Sequence, residues 1–364
     1  MRTFIQALSL LLFTTLFVFA TYKLPDWLPA DIYLRLDPLL GFNAVFAARE
    51  IIVRSLWSLI IIGATLIIGR FFCAYVCPMG ASIDFLDFLF FWKKKRPGLK
   101  SEVNFRKIKF FLLIILISAS IVGLSLAFIM DPLALLTRFY TFFLYPLAIT
   151  LINLFLDFLR PVFQAFGWII LSHLHYPQPV FYMSIITLLI FGGIIILNRL
   201  APRFWCRYLC PLGALLSLIS PLGLLKRRVN EDCNECLKCQ KACPMGAVDE
   251  NPKETHFSEC IQCRTCAKVC PQNAITFPTS FSYSIGGEYS PIHSSRRGFL
   301  YSLAGGLIFG FLAMESPFTL RQSKFQLIRA PGAIPEKEFL RTCIRCGECM
   351  KSCLTNTLQP CLWE

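Results

Sequence analysis

Sixteen of the seventeen cysteines in this 364-residue chain fall into short, regularly spaced groups, a layout suited to metal ligation and unlike scattered disulfide partners. The densest run is Cys233-x2-Cys236-x2-Cys239-x3-Cys243-Pro followed by Cys260-x2-Cys263-x2-Cys266-x3-Cys270-Pro. Three thiolates at this spacing wrap one 4Fe-4S cubane, while the fourth, turned away by its proline, ligates the other cluster. Cys233, Cys236, Cys239 and Cys270 are therefore expected to hold one cluster, and Cys243, Cys260, Cys263 and Cys266 the second. Zinc sites lack the triple Cys-x2-Cys-x2-Cys, and a reducing compartment disfavours disulfides.

A second constellation is repeated. Arg70-Phe-Phe-Cys73-Ala-Tyr-Val-Cys77-Pro-Met-Gly-Ala81 recurs as Arg203-Phe-Trp-Cys206-Arg-Tyr-Leu-Cys210-Pro-Leu-Gly-Ala214, each copy closing an apolar span. One such pair alone could be two small residues on a helix face, because i and i+4 are neighbours. Repetition with the same flanking Arg, Tyr, Pro and Gly argues for ligation. Asp37-Pro-Leu and Asp131-Pro-Leu sit upstream in corresponding outer loops, so two pseudo-symmetric halves should bring Cys73, Cys77, Cys206 and Cys210 together. Soft thiolates suit an iron–sulfur cluster or Cu(I), and nearby basic residues favour their deprotonation. A third motif, Cys343-x2-Cys346-x2-Cys349-x3-Cys353, is followed by Leu354 where proline is expected. Either Cys361 completes its ligand set or the chain stops short of the natural end, and the second is favoured.

Membrane helices must position these groups. The chain is 55% apolar and only 16% charged, far from a soluble average. About 20 apolar residues span a bilayer, which predicts spans over 3–22, 55–72, 110–130 and 180–197. The runs 139–156 (with Pro146) and 162–171 are expected as either two crossings or a re-entrant hairpin. The net charge of +14 does not indicate nucleic acid, since the basic residues cluster in short loops, as the positive-inside rule requires. Lys93 to Arg96, Lys100, Arg106, Lys107 and Lys109 mark one cytoplasmic loop, and Arg199, Arg203, Arg207 and Lys226 to Arg228 another. Four or six spans before residue 222 satisfy both.

Ser295-Arg296-Arg297-Gly298-Phe299-Leu300 before an uncharged run has the layout of an internal twin-arginine signal. The expected organisation is a membrane domain with two repeats over 1–222, a cytoplasmic two-cluster domain over 223–280, a linker over 281–298, a transmembrane or export helix over 299–315, and an extracytoplasmic cysteine segment over 316–364.

Residues 1–280 resemble the NapH-type membrane polyferredoxins of quinol dehydrogenase modules, which share paired Cys-x3-Cys-Pro motifs followed by a two-cluster ferredoxin. Residues from about 294 onward resemble the start of a NapG-type ferredoxin, with its twin-arginine leader, the Arg329-Ala-Pro-Gly-Ala-Ile-Pro segment and a Cys-Ile-Arg-Cys-Gly-Glu-Cys opening. The resemblance implies a mainly α protein: a polytopic helical bundle of two pseudo-repeats carrying a small α+β ferredoxin domain and a partial C-terminal one, in the cytoplasmic (inner) membrane. It implies electrons passing from menaquinol or ubiquinol through 4Fe-4S clusters to an extracytoplasmic reductase or electron carrier. The chain would then be a quinol dehydrogenase subunit or a plain electron carrier; no general acid or base stands out. Asp84, Asp87 and Arg70 near helix ends are candidate proton partners, although interfacial charge is the simpler account. The competing reading is a copper-handling assembly factor acting through Cys73, Cys77, Cys206 and Cys210. A haem protein is disfavoured, because His173 and His175 are two residues apart beside Pro177 and cannot share a helix face.

Overall fold

The computed structural model describes residues 2–21, 29–50, 52–91, 102–123, 125–169, 173–182, 184–278, 296–315, 332–335, 338–339, 342–353 and 355–360. The basic loop 92–101, the linker up to Ser295, Arg329, Leu354 and Cys361 lie outside these residues. The described chain is mainly helical. Helix α1 (Arg2–Phe19) buries a stripe of Gln6, Ser9, Phe13, Leu16 and Phe17. Its other faces expose Phe4, Leu8, Leu11 and Leu12, so the helix is apolar all round, as a lipid-facing helix is.

The first repeat comprises α2 (Pro38–Ala48), α3 (Ser58–Ile68) and α4 (Pro78–Phe91). After α5 (Glu102–Ile121), the second comprises α6 (Pro132–Phe139), α7 (Tyr145–Ala165), α8 (Ser184–Leu197) and α9 (Pro211–Ile219). Among the described residues two helical runs are long and apolar enough to cross a membrane, Arg2–Phe19 and Pro132–Ala165, and several further apolar helices are shorter. Helices α6 and α7 join through the wide turn Tyr140–Leu144, and α7 runs on through Pro161. Phe139 to Ala165 therefore lies in one continuous helical run, with residues 170–171 of the second apolar run outside the described residues. Pro146 sits in the first turn of α7, where a missing N–H costs nothing.

Asp37 and Asp131 are not loop residues in solvent. Each is fully buried and N-caps a helix, Asp37 Oδ1 accepting from Leu39 N at 2.7 Å and Asp131 Oδ2 from Ala134 N at 2.8 Å, with proline at the first helical position. The two carboxyl groups lie close enough to interact with each other across the two halves.

The two-cluster segment forms a small α+β unit at one end of the bundle. Strand β1 (Arg228–Val229) pairs antiparallel with β2 (Ile275–Thr276) in the register Arg228↔Thr276 and Val229↔Ile275. The short helices α10 (Lys238–Lys241) and α11 (Thr265–Lys268) follow the cysteine runs. Docking is through backbone and buried charge: Leu225 N donates to Ile67 O at 3.1 Å, Arg106 Nη2 to Gly246 O at 2.7 Å, and Tyr75 Oη to Gln262 O at 3.2 Å.

Helix α12 (Arg296–Glu315) lies against α5. Gly306 faces Ile115 and Ser118, and Gly310 faces Ala119 and Val122, so the two helices run parallel. A Cβ on Gly306 would meet Ser118 Oγ and stand 2.9 Å from Ile115 O. This close approach over a Gly-x3-Gly pair is how helices associate without a hydrophobic driving force. The C-terminal helix α13 (Glu348–Lys351) packs at the end of the bundle away from the two-cluster unit: Arg2 at the start of α1 reaches Thr265, whereas Lys351 lies over Phe17 near its end.

Candidate iron–sulfur sites

Cys73 and Cys206 do not lie on ordinary helical turns. Each sits in a widened turn, Phe72–Val76 or Trp205–Leu209, closed by a bond from Cys77 N to Phe72 O (2.8 Å) or from Cys210 N to Trp205 O (2.9 Å). Such five-residue turns collect at functional sites. The proline that follows forces Cys77 (ψ 113°) and Cys210 (ψ 111°) into extended backbone at the N-terminus of the next helix. Gly213 N donates to Cys210 Sγ at 3.2 Å, which places this sulfur at the N-terminus of α9. The i, i+4 face of a regular helix is not the geometry of these pairs.

The two repeats exchange their arginines. Arg203 of the second donates to Cys73 O of the first at 2.9 Å and grips Asp84 with Nε at 2.8 Å and Nη2 at 2.7 Å. Arg70 of the first lies against Gly213 of the second, where a Cβ would come within 3.0 Å of Arg70 Nη2. Gly80 is its counterpart, with an added Cβ 3.2 Å from Cys73 O and 3.6 Å from Arg203 Nη2. The glycine of each Cys-Pro-x-Gly thus leaves room for the opposite arginine.

All four thiols join one core and lie near enough for their thiolates to repel one another. Charge around them is uneven. Arg203 and Arg2 both pair with Asp84, and Arg70 and Lys109 both pair with Glu259, the lysine at 2.6 and 2.7 Å. In the described ion pairs each of these two carboxylates thus meets two cations, and Arg70, Arg203 and Lys109 are at most 1% exposed. Arg70 Nε and Nη2 are buried without an acceptor. Burying surplus positive charge and unpaired N–H groups is costly unless an anion answers them. A cubane held by four thiolates, a dianion when oxidised, fits that set. Among the described residues, no three Cys, His, Asp or Glu side chains close on a single ion, and the same holds for the ferredoxin cysteines, whose spacing suits a larger polynuclear group.

The ferredoxin cysteines line two cavities in the combination their spacing implies. Cys243, Cys260, Cys263 and Cys266 surround one, and Cys233, Cys236, Cys239 and Cys270 the other. Glu235 and Leu237 in the first motif adopt left-handed φ (52° and 56°), as do Gln262 and Arg264 in the second (55° and 57°). These residues point successive N–H groups inward, a concavity suited to an anionic cluster. Burial pushes the Cys260 thiol up to about 12, so a stable thiolate there needs a cation such as iron. Burial also acts on Glu259, but Lys109, Arg70 and Arg106 outweigh it and hold the carboxyl down at about 2.

Cys343, Cys346, Cys349 and Cys353 follow the same backbone path. Arg345 (51°) and Gly347 (88°) repeat the left-handed pair, and Asn356 (52°), three residues past Cys353, matches Gly246 (59°) and Asn273 (49°). This motif sits at the Phe17 end of α1, away from the two-cluster unit. Arg345 donates to Ser125 O at 3.4 Å and stacks on Phe128, and a Cβ on Gly347 would lie 3.1 Å from Phe142. Cys353 accepts or donates at 3.4 Å to both Thr355 and Thr357.

The first two sites are brought together. Ala74, Met245 and Ile261 form one buried layer that touches Cys73 and Cys206 on one side and Cys243 and Cys263 on the other. Asp84 is committed to Arg203 and Arg2 in ion pairs, which leaves it a structural role, and His173 and His175 are exposed. Sequence reasoning missed Glu259, Lys109 and Arg227 as site residues. Nothing local marks them, since their partners are far away in the chain. The repeated Cys-Pro-x-Gly was the available signal for Gly80 and Gly213.

A 4Fe-4S binding domain family matches residues 51–97 and 183–230, the two Cys-x3-Cys-Pro repeats, and a 4Fe-4S dicluster domain family matches 225–273. The ferredoxin-type protein NapH of Haemophilus influenzae is 24% identical over 231 residues, covering 60% of this chain and 66% of its own. The methylamine utilization ferredoxin-type protein MauN of Paracoccus denitrificans is 24% identical over 214 residues (57% and 60%), and an uncharacterized protein of Methanocaldococcus jannaschii 28% over 193 (51% and 63%). The chain thus spans about three fifths of the length of the curated relatives it matches. No solved structure matches. The repeats and the dicluster segment match 4Fe-4S binding families, and along them the chain is similar to ferredoxin-type proteins such as NapH and MauN.

Proposed function

We propose that the chain is a membrane electron relay in which Cys73, Cys77, Cys206 and Cys210 jointly hold a cluster beside the ferredoxin pair. Electrons would pass between that site and the Cys243, Cys260, Cys263, Cys266 set, then the Cys233, Cys236, Cys239, Cys270 set. The observation that carries this reading is the shared buried layer of Ala74, Met245 and Ile261, against which cysteines of both of the first two sites pack. The clusters supply one-electron chemistry, and their potentials depend on burial, charge and N–H donors from the chain. Arg70, Arg203 and Lys109 keep positive charge near the four membrane-end thiolates, and Cys236, the one exposed ferredoxin ligand, marks the edge open to a partner.

Membrane quinol is the proposed donor, giving up two electrons singly and releasing two protons. The bundle is proposed to cross the inner membrane several times, with the ferredoxin unit cytoplasmic and the C-terminal motif extracytoplasmic. The parallel run of α12 beside α5 supports this, because it carries the chain from the ferredoxin end to the opposite one. That motif, in the NapG-like segment, would hold a further cluster and pass electrons to an extracytoplasmic reductase or carrier.

The test is metal content and anaerobic EPR of the wild type and the Cys73→Ser/Cys206→Ser variant, with and without a menaquinol analogue. The expected result is loss of one cluster's iron, retention of both ferredoxin signals, and loss of their reduction by quinol. Unchanged iron with loss of bound copper would overturn the relay in favour of copper handling.

A further inference from the structure

Arg227 stands between the two ferredoxin sites and belongs to neither cysteine motif. Its side chain is 4% exposed and lines both cysteine cavities. Nη1 is anchored on Pro252 O at 2.9 Å and Thr255 Oγ1 at 2.7 Å. Nη2 donates to Cys239 Sγ at 3.6 Å, and Cys266 lines the other cavity beside the same guanidinium, close enough to interact with its charge. Nε is buried with no acceptor in the chain. Cys239 belongs to one ligand set and Cys266 to the other. No carboxylate pairs with Arg227 in any described ion pair, so its charge is directed at sulfur.

We propose that Arg227 is a positioning residue shared by both ferredoxin clusters, one fixed cation that raises the two reduction potentials together. The inference rests on the assignment of the two cysteine sets to two clusters. Reduction adds a negative charge to a cluster, and a fixed cation against its thiolate stabilises the reduced state more than the oxidised one. Water cannot replace this effect, because both walls of Arg227 are buried. An arginine suits the position where a lysine does not: its planar fork presents donors in several directions, whereas an ammonium is a single point charge. The pairing of β1 with β2 holds the backbone that follows Arg227, and Thr255, bridged through Val248↔Thr255 strand contact, fixes the other side.

The experiment is potentiometric EPR on the full-length protein in detergent, with iron counted per chain, for wild type, Arg227→Gln and Arg227→Lys. The expected result for Arg227→Gln is full ferredoxin iron with both midpoint potentials shifted downward. In Arg227→Lys at least one potential should fall, since one ammonium cannot contact both sulfurs. A shift of only one cluster in Arg227→Gln, no shift in either variant, or loss of both clusters in both variants would overturn the proposal. Absence of two ferredoxin cluster signals in the wild type would instead refute the ligand assignment on which it rests.

Discussion

Replacing Glu259 with Gln should loosen the ferredoxin unit from the helical bundle. Glu259 is 5% exposed, accepts from Lys109 at 2.6 and 2.7 Å and from Arg70 at 3.4 Å, and is the one carboxylate between two fully buried cations. Its partners lower its pKa from 4.5 to about 2, which corresponds to about 3 kcal/mol at 1.36 kcal/mol per unit. Leaving a buried charge unpaired costs about 3–5 kcal/mol in comparable pairs, so the two figures agree. Hydrogen exchange of the amides around 258–263 reports this opening, and about 3 kcal/mol corresponds to roughly a hundredfold faster exchange. Lys109→Met is the control, because it leaves Arg70 and Glu259 paired one to one and should cost far less. The sign with pH follows from a depressed carboxylate: the stabilisation is complete above pH 4.5 and is lost as pH falls through about 2. Urea-induced release of the unit should therefore become easier between those values in the wild type, while Glu259→Gln should show little change there. Less than a tenfold effect of Glu259→Gln, or an equal or larger effect of Lys109→Met, would refute the charge argument.

Two further outcomes test other levels of the structure. Cys243→Ala should abolish the same cluster as Cys260→Ala and spare the one on Cys233, Cys236 and Cys239, since Cys243 lines the cavity of the second motif; EPR of the two variants should match, and loss of the other cluster would contradict the crossed ligation. Gly306→Leu should destabilise the α5–α12 contact by about 1–3 kcal/mol, because its side chain meets Ser118 and the Ile115 carbonyl. Gly305→Leu, which faces open space, should be near neutral in the same detergent unfolding assay.

Much of the iron–sulfur chemistry is legible in the amino-acid sequence alone. Ligand sets such as Cys260, Cys263 and Cys266 lie within a few residues, so short-range backbone geometry decides them, and the left-handed residues at 262 and 264 merely realise the spacing. The pseudo-repeat is equally visible, because both Cys-x3-Cys-Pro copies carry the same Arg, Tyr, Pro and Gly. Apolar run length is a weaker guide. It splits 139–165 between two segments where a wide turn and a tolerated Pro161 make one helical run, and it assigns Asp37 and Asp131 to loops although both are buried caps.

Tertiary structure alone decided what stands around the cysteines. Arg70 reaches Gly213, Arg203 reaches Asp84, Lys109 reaches Glu259, and Arg227 donates to Cys239 while lining both cysteine cavities, contacts that depend on how the halves and the ferredoxin unit pack. Periodicity and spacing report which residues share a turn or a face of one element. They carry no record of which buried charge meets which across 119 or 150 residues of chain, because that choice is made by packing and by the cost of leaving a charge unanswered.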